Sequence, residues 1–128
     1  MIAVDTSALM SIMLNEPAAE ACAAILAAET EVLISAGTLA EALIVAAHRN
    51  LSEEMSRLVL DLGFEIIPVT PAAAHRIAGA YRRWGKGVHP AGLNFGDCFA
   101  YETAKEHACP LLFIGNDFSK TDLAKIGT

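Results

Sequence analysis

Short apolar runs alternate with helical segments along this chain, and this alternation constrains the fold more than any other feature. Four runs, residues 2–4, 32–35, 64–69 and 111–114, have the composition of buried strands. Strands that are apolar throughout and are joined by helices are typical of a parallel sheet that is covered on both faces. The sequence therefore predicts an α/β fold with right-handed crossovers between its strands.

Helical spacing, helix-capping residues and turn residues divide the rest of the chain. Helices are predicted over residues 8–14, 18–28, 38–50, 51–62, 71–84 and 96–107. Ser52 and Thr70 are predicted N-caps, the latter with a proline at the first helical position. The tail, residues 115–128, is predicted to begin as a loop and to end in a short turn or strand, so the sheet has four or five strands.

Size and composition limit the class of protein. With 128 residues the chain is predicted to form a single domain over residues 1–128. Hydrophobic residues make up 54% and charged residues 19%, which excludes a disordered chain. No apolar run reaches the roughly 18 residues of a membrane span. Asp5 stands where a secretory signal carries basic residues, so a cytoplasmic protein without a membrane partner is expected.

Acidic residues fall where predicted strands end or helices begin. Asp5 follows the first strand, Glu41 lies in the first turn after the second, and Asp97 opens the helix before the fourth. Asp117 follows the fourth strand by three residues, and Asp122 comes five residues later. Ligands of open parallel sheets bind beyond the carboxyl ends of the strands, so these carboxylates are expected to converge.

Three of these acids also have a simpler explanation. Thr38 and Glu41 have the spacing of a capping box, as do Ser119 and Asp122. Asp97 stands at a helix start, where the helix dipole favours a negative charge. The joint placement of the acids, rather than any one residue, therefore carries the functional interpretation.

A carboxylate cluster of this kind calls for a cation, because neighbouring carboxylates repel and raise one another's pKa. Ligation by oxygen alone suits Mg²⁺ or Mn²⁺, and the sequence has no Cys/His set with zinc spacing. Metal-assisted phosphodiester hydrolysis is the chemistry that uses such a site. Thr6 and Ser7 are candidates to hydrogen-bond a ligand carboxylate or a metal-bound water.

The charge balance alone argues against a nucleic-acid partner, because the net charge is −6 and phosphates attract lysine and arginine. One basic cluster, Arg82, Arg83 and Lys86, lies beside Tyr81 and Trp84. Such a mixture is able to hold an RNA backbone and stack a base. The alternative, a solvated helix end with the tryptophan packed on the core, is the one that the residues favour.

Four segments together have a familiar pattern. Residues 4–8 read VDTSA, residues 35–42 read SAGTLAEA, residues 94–101 read NFGDCFAY and residues 111–118 read LLFIGNDF. In this order and spacing they resemble the PIN-domain family, and within it the VapC toxins of bacterial toxin–antitoxin pairs. The resemblance implies a three-layer α/β/α sandwich around a mainly parallel sheet and a Mg²⁺-dependent endoribonuclease site, with Mn²⁺ as a substitute.

The resemblance also implies roles and partners. Asp5, Glu41 and Asp97 would carry metal and activated water, with Asp5, Asp97 and Asp117 as the metal ligands. Many relatives have two adjacent acids where this chain has Asn116 and Asp117, so Asp117 and Asp122 both remain open as the fourth acid. The implied partners are an RNA substrate, a cognate VapB-type antitoxin that blocks the site, and a second copy in a homodimer. Operator DNA would be reached only through the antitoxin.

Two other functions compete with this one. The first is a catalytically inactive PIN-like binding module, in which the acids serve as helix caps. The second is a phosphoaspartate receiver or phosphatase-like domain, which also places an aspartate after the first strand. The phosphatase type needs a second aspartate where this chain has Ser7, and the receiver type needs one at residues 69–71, where there is none.

Overall fold

A computed structural model describes residues 1–123 and contains the predicted parallel sheet. Its strands are β1 (Ile2–Val4), β2 (Val32–Ser35), β3 (Glu65–Ile67) and β4 (Leu111–Leu112). They lie in the order β3-β2-β1-β4, and every neighbouring pair is parallel. The loop predicted after β4 is present, whereas the predicted end of the tail, and with it any fifth strand, lies outside the described residues.

Helices cover both faces of the sheet. They are α1 (Thr6–Met13), α2 (Ala19–Ala28), α3 (Ala36–His48), α4 (Ser52–Asp61), α5 (Pro71–Trp84) and α6 (Phe95–Glu106). The first four pack with Ile2, Val4 and Ile34 in one apolar core, and the last two pack with Ala3 and Leu33 in another. Alternate strand residues thus face opposite cores, as the pleat of a strand requires. The predicted three-layer α/β/α sandwich is confirmed.

The edge strand departs from the prediction of fully buried strands. Glu65 and Ile66 of β3 are exposed, because β3 has a neighbour on one side only, and just three residues of the predicted run 64–69 pair with β2. Strand β4 is likewise shorter than predicted. Within residues 1–123, no helix has both the length and the hydrophobicity that crossing a bilayer would require.

Three predicted caps are wrong. Strand β2 continues directly into α3, so Ser35 caps that helix by accepting a hydrogen bond from the Gly37 amide, and Thr38 lies inside the helix. Leu51, not Ser52, precedes α4 and provides no side-chain cap. Bends and turns occupy residues 119–122, so no helix uses Asp122 in a capping box. The prediction for Thr70 is confirmed, because its hydroxyl accepts from the Ala73 amide.

Helices α3 and α6 approach closely at two glycines. A Cβ atom on Gly37 would overlap the ring of Phe99, and a Cβ atom on Gly96 would overlap the carboxylate of Glu41. Each helix therefore receives a large side chain of the other at a position where only glycine leaves room. This double contact brings the first turns of both helices to the same end of the sheet.

A pair of glycine substitutions tests this contact. Gly37→Ala is expected to lower the free energy of unfolding by about 1–2 kcal/mol, because overpacking at Phe99 exceeds the gain in helix propensity. Gly79→Ala in α5 is the control, since its nearest neighbour would be an Arg82 nitrogen at 3.8 Å. It is expected to raise stability by about 0.5–1 kcal/mol. Urea unfolding measures both; equal changes would contradict the close approach.

Candidate active site

Asp5 lies directly after the central strand β1 and is almost fully buried, with 5% of its surface exposed. It caps α1: its Oδ2 accepts hydrogen bonds from the Ser7 amide at 3.1 Å and from the Ser7 hydroxyl at 2.6 Å. Its Oδ1 is buried and has no hydrogen-bond partner in the structure. A buried carboxylate oxygen without a partner is costly, so this atom points to a ligand.

Ser7 connects Asp5 to the far end of the chain. While its hydroxyl donates to Asp5, its Oγ accepts from the Ile114 amide at 3.0 Å. The Asp5 amide donates in turn to the Leu112 carbonyl at 3.0 Å. The loop that follows β4 and carries Asp117 is therefore fixed against the carboxylate at the end of β1.

Glu41 reaches the same region from α3. The Thr6 hydroxyl donates to Glu41 Oε1 at 2.7 Å, and Gly96 of α6 lies against the carboxylate. Because Ser35 caps α3, the carboxylate of Glu41 does not serve as a cap and is held instead by residues of α1 and α6. Thr6 thus orients one of the acids and Ser7 another, as predicted for hydrogen-bond partners of ligand carboxylates.

Asp97 is both a helix cap and a member of the cluster. Asn94 Oδ1 accepts from the Asp97 amide at 2.8 Å, and Asp97 Oδ2 accepts from the Asn94 amide at 3.0 Å, which completes a capping box. The side chain is nevertheless buried and interacts with the other acids. The two explanations offered by the sequence, cap and ligand, are therefore compatible.

Burial and the charges of other acids raise the pKa values of Asp97 and Asp5. Burial raises the pKa of Asp97 to about 7; the hydrogen bond from Asn94 opposes this rise, and the charges of Asp5, Asp117 and Glu41 add to it. Burial also raises the pKa of Asp5 to about 6, against the hydrogen bonds from Ser7 and with a contribution from Glu41. Charges from separate parts of the chain thus act on Asp5 and Asp97, and among them Asp117 is exposed.

Asp122 lies in a different environment. Its carboxylate accepts from the Tyr101 hydroxyl at 2.6 Å and from Lys105 Nζ at 3.0 Å, and Arg83 lies 3.9 Å away. Two cations and a phenol therefore surround this carboxylate. These hydrogen bonds and ion pairs join Asp122 to residues of α5 and α6.

The aromatic ring next to the basic cluster of Arg82, Arg83 and Lys86 has a structural role. Trp84 is 8% exposed, and its indole N–H donates to the Tyr101 hydroxyl at 2.9 Å, so base stacking by this ring is excluded. The Arg83 guanidinium lies 4.5 Å above the same ring. The sequence alternative of a tryptophan packed on the core is confirmed, while Arg82 and Lys86 remain exposed.

Sequence reasoning missed the residues that bring the acids together. Gly96 and Gly37 allow α3 and α6 to approach, and Asn94 caps the helix that carries Asp97. The signal for Gly96 was a glycine at the first position of a predicted helix, directly before an acid. A helical glycine costs about 1 kcal/mol relative to alanine, which is itself a reason to look for a close contact.

The side chains present suit a hard divalent cation. Among residues 1–123, no group of three or more His, Cys, Asp or Glu side chains is arranged to hold a metal ion. Mg²⁺, however, usually keeps several waters and binds through one or two carboxylates. The unpartnered Oδ1 of Asp5 and the raised pKa of Asp97 are features that such an ion would relieve.

The burial of Asp5 predicts a stability change with a defined pH dependence. The pKa of this carboxyl is about 6, above its ordinary value of 3.8, so ionisation destabilises the fold progressively between these values and fully above pH 6. Asp5→Asn keeps an oxygen for the Ser7 bonds and removes the charge. In EDTA it is expected to raise the free energy of unfolding at pH 8 by up to about 3 kcal/mol, and to have little effect at pH 4. Thermal unfolding at both values measures this; a variant less stable at pH 8 would contradict it.

Comparisons with known proteins agree with this geometry. The family model for the PIN domain matches residues 2–123. Ribonuclease VapC30 from Mycobacterium tuberculosis is 40% identical over 130 residues, covering 96% of both chains. Ribonuclease VapC36 from the same species is 43% identical over 124 residues, covering 94% of this chain and 89% of the relative.

Solved structures share the fold. The Mycobacterium tuberculosis toxin VapC20, described as cleaving the sarcin-ricin loop, superposes with a TM-score of 0.78 at 15% identity over 97% of both chains. FitAcB from Neisseria gonorrhoeae superposes with a TM-score of 0.67 at 26% identity, over 99% of this chain and 97% of the other. With the family match and identities of about 40% over nearly the whole length, the chain belongs to the PIN-domain family.

Proposed function

We propose that this protein is a VapC-type toxin, an endoribonuclease that hydrolyses RNA phosphodiester bonds with the help of Mg²⁺ or Mn²⁺. The observation that carries the proposal is the placement of acids at one end of the sheet: Thr6, next to Asp5, donates to Glu41 at 2.7 Å, and Glu41 lies against Gly96, next to Asp97. The charges of Asp5, Asp117 and Glu41 add to the raised pKa of Asp97. The curated relatives at about 40% identity are named ribonucleases, which supports the same activity.

The proposed roles follow from the surroundings of each carboxylate. One or two of the carboxylates of Asp5, Asp97 and Asp117 would bind the ion directly and the remainder through its waters. When bound, the ion supplies charge stabilisation at the phosphate and lowers the pKa of water. Glu41, whose orientation is fixed by the Thr6 hydroxyl, accepts a proton from the attacking water. Ser7 keeps Asp5 in place and ties the Asp117 loop to it.

The acidity of the protein is compatible with an RNA substrate. A divalent cation in the acidic site reverses the local field, so that a phosphate approaches a positive centre in a chain of net charge −6. The exposed Arg82 and Lys86 are candidates for contacts to the RNA backbone. A toxin that acts on cellular RNA works in the cytoplasm.

The proposed protein partner is a cognate VapB-type antitoxin that presents a basic side chain to the acids and so inhibits the toxin. Electrostatic complementarity between such a side chain and this cluster favours fast association. A chain of the FitAB structure, which was solved bound to a DNA fragment, is 27% identical to this chain with a TM-score of 0.69; this likeness supports a proposal in which operator DNA is reached through the antitoxin. A homodimer is part of the same proposal.

Metal-dependent cleavage is the main test. The purified protein is expected to cut a labelled RNA in Mg²⁺ or Mn²⁺, and EDTA to abolish cleavage. Asp97→Asn keeps an oxygen for the Asn94 bond and is expected to lower the rate at least about 100-fold, whereas Asp61→Asn, at an exposed position that ends α4, leaves it unchanged. Cleavage that persists in EDTA, or equal rates in both variants, would contradict the proposal. No cleavage at any ion concentration would favour the inactive binding module.

A second comparison decides which residue is the fourth acid. Asp117→Asn is expected to lower cleavage by about 10-fold or more, since its charge is part of the acidic site. Asp122→Asn is expected to keep cleavage within about twofold and to lower thermal stability, because Tyr101 and Lys105 lose a charged partner. Initial rates and thermal melts measure both variants. A large loss of cleavage in Asp122→Asn, with its fold intact, would instead place that residue in the site.

A further inference from the structure

Phe95 is an aromatic side chain in an unusual position for a structural residue. It is the first residue of α6, two positions before Asp97, and 72% of its surface is exposed. Its ring is held edge-to-face by Phe99, with 4.9 Å between the ring centroids. An exposed ring that is held in place beside the acidic site contributes little to the core and offers a preformed surface to a ligand.

Two grooves meet at this ring. One, of about 310 Å³, lies between α3 and α6 and is lined by Gly37, Glu41, Ile44 and Gly96 together with both phenylalanines. The other, of about 510 Å³, lies between α5 and α6 and includes Tyr81 and Arg82. The smaller groove shares the Glu41 side chain with the proposed active site, so whatever fills it is next to the reacting phosphate.

We propose that Phe95 stacks a base of the RNA substrate, that of a nucleotide flanking the cleaved bond, and that this base lies in the smaller groove. The inference rests on the proposed ribonuclease function. Bases of any sequence stack on an aromatic ring, and apolar walls beside a catalytic carboxylate suit a base attached to the phosphate being cut. Phe95 is a substrate-positioning residue in this assignment.

The cation on the other side of the ring supports an RNA occupant over an apolar protein segment. Arg82 lines the larger groove, and no carboxylate within residues 1–123 forms an ion pair with it. Within residues 1–123, a guanidinium without a carboxylate partner thus lines the groove on one side of the exposed ring, and Glu41 lines the groove on the other. Such a guanidinium suits the phosphate next to a base that stacks on the ring. In this assignment the base occupies the smaller groove on one side of the Phe95 ring, and Arg82 contacts a phosphate on the other side.

The experiment combines a side-chain change with a base change. After the cleaved bond has been mapped by sequencing the product ends, substrates are made that lack the base on either side of it. The wild type is expected to lose about tenfold in kcat/KM, mainly through KM, on one of these abasic substrates. Phe95→Ala is expected to lose about tenfold on the intact RNA and nothing further on that abasic RNA, while Phe95→Tyr keeps wild-type values.

Leu60→Ala is the matched control, because Leu60 is 79% exposed and lines a separate groove against α3 and β3. It is expected to change neither KM nor the abasic effect. Phe95→Ala values equal to wild type, or an abasic penalty that persists in Phe95→Ala, would overturn the inference while leaving the ribonuclease function intact. If no RNA is cleaved by the wild type, the proposed function itself fails.

Light scattering tests whether a second copy of the chain, rather than RNA, contacts the Phe95 ring. If Phe95→Ala converts a dimer to a monomer and the abasic penalty is the same in both proteins, the ring mediates self-association and the inference is overturned. A shift in oligomeric state that is accompanied by loss of the abasic penalty supports base stacking, because only direct contact with the base removes that penalty.

Discussion

The candidate site is built around one buried atom that has no hydrogen-bond partner, the Oδ1 of Asp5 at the end of the central strand. The other oxygen, Oδ2, accepts both hydrogen bonds that Ser7 donates, and burial keeps water away from Oδ1. A globular protein retains such a carboxylate at the expense of stability, and sites of this kind are usually functional. Strand β1 lies between β2 and β4, so this atom lies in the middle of the row formed by the carboxyl ends of the strands. Side chains from the segments next to β2 and β4 are able to reach it there.

The contact between α3 and α6 complements this centre. Two glycines let each helix accept a side chain from the other, and one of those side chains is the carboxylate of Glu41. Asp97 lies one residue beyond the second glycine and closes the capping box of its own helix. The cap anchors the carboxylate and the helix end at once, so the local geometry of α6 and that of the acidic site are fixed by the same two hydrogen bonds.

The sequence was sufficient to predict those features of the fold and the site that a local pattern of residues determines. It was insufficient for features that depend on contacts with residues distant in the chain. Apolar runs identified the four strands and their parallel arrangement, while the end of β1 located Asp5 and a helix start located Asp97. The pattern around Thr38 predicted the wrong cap because nothing in it reveals that β2 enters α3 without a linker. Asp122 has the sequence spacing of a site residue, and only its contacts with Tyr101 and Lys105 set it apart.

The bond from the Ile114 amide to Ser7 joins residues 107 positions apart in the chain. A ribosome makes β1 first, yet this strand gains its second neighbour only after residue 112 has been added. Asp97 and Asp117 also follow Asp5 and Glu41 by many residues, so a nascent chain that stops before them has only two of the four proposed site acids. The separation of these segments along the chain therefore imposes an order on assembly: the group of acids stays incomplete in a nascent chain until Asp117 has been added.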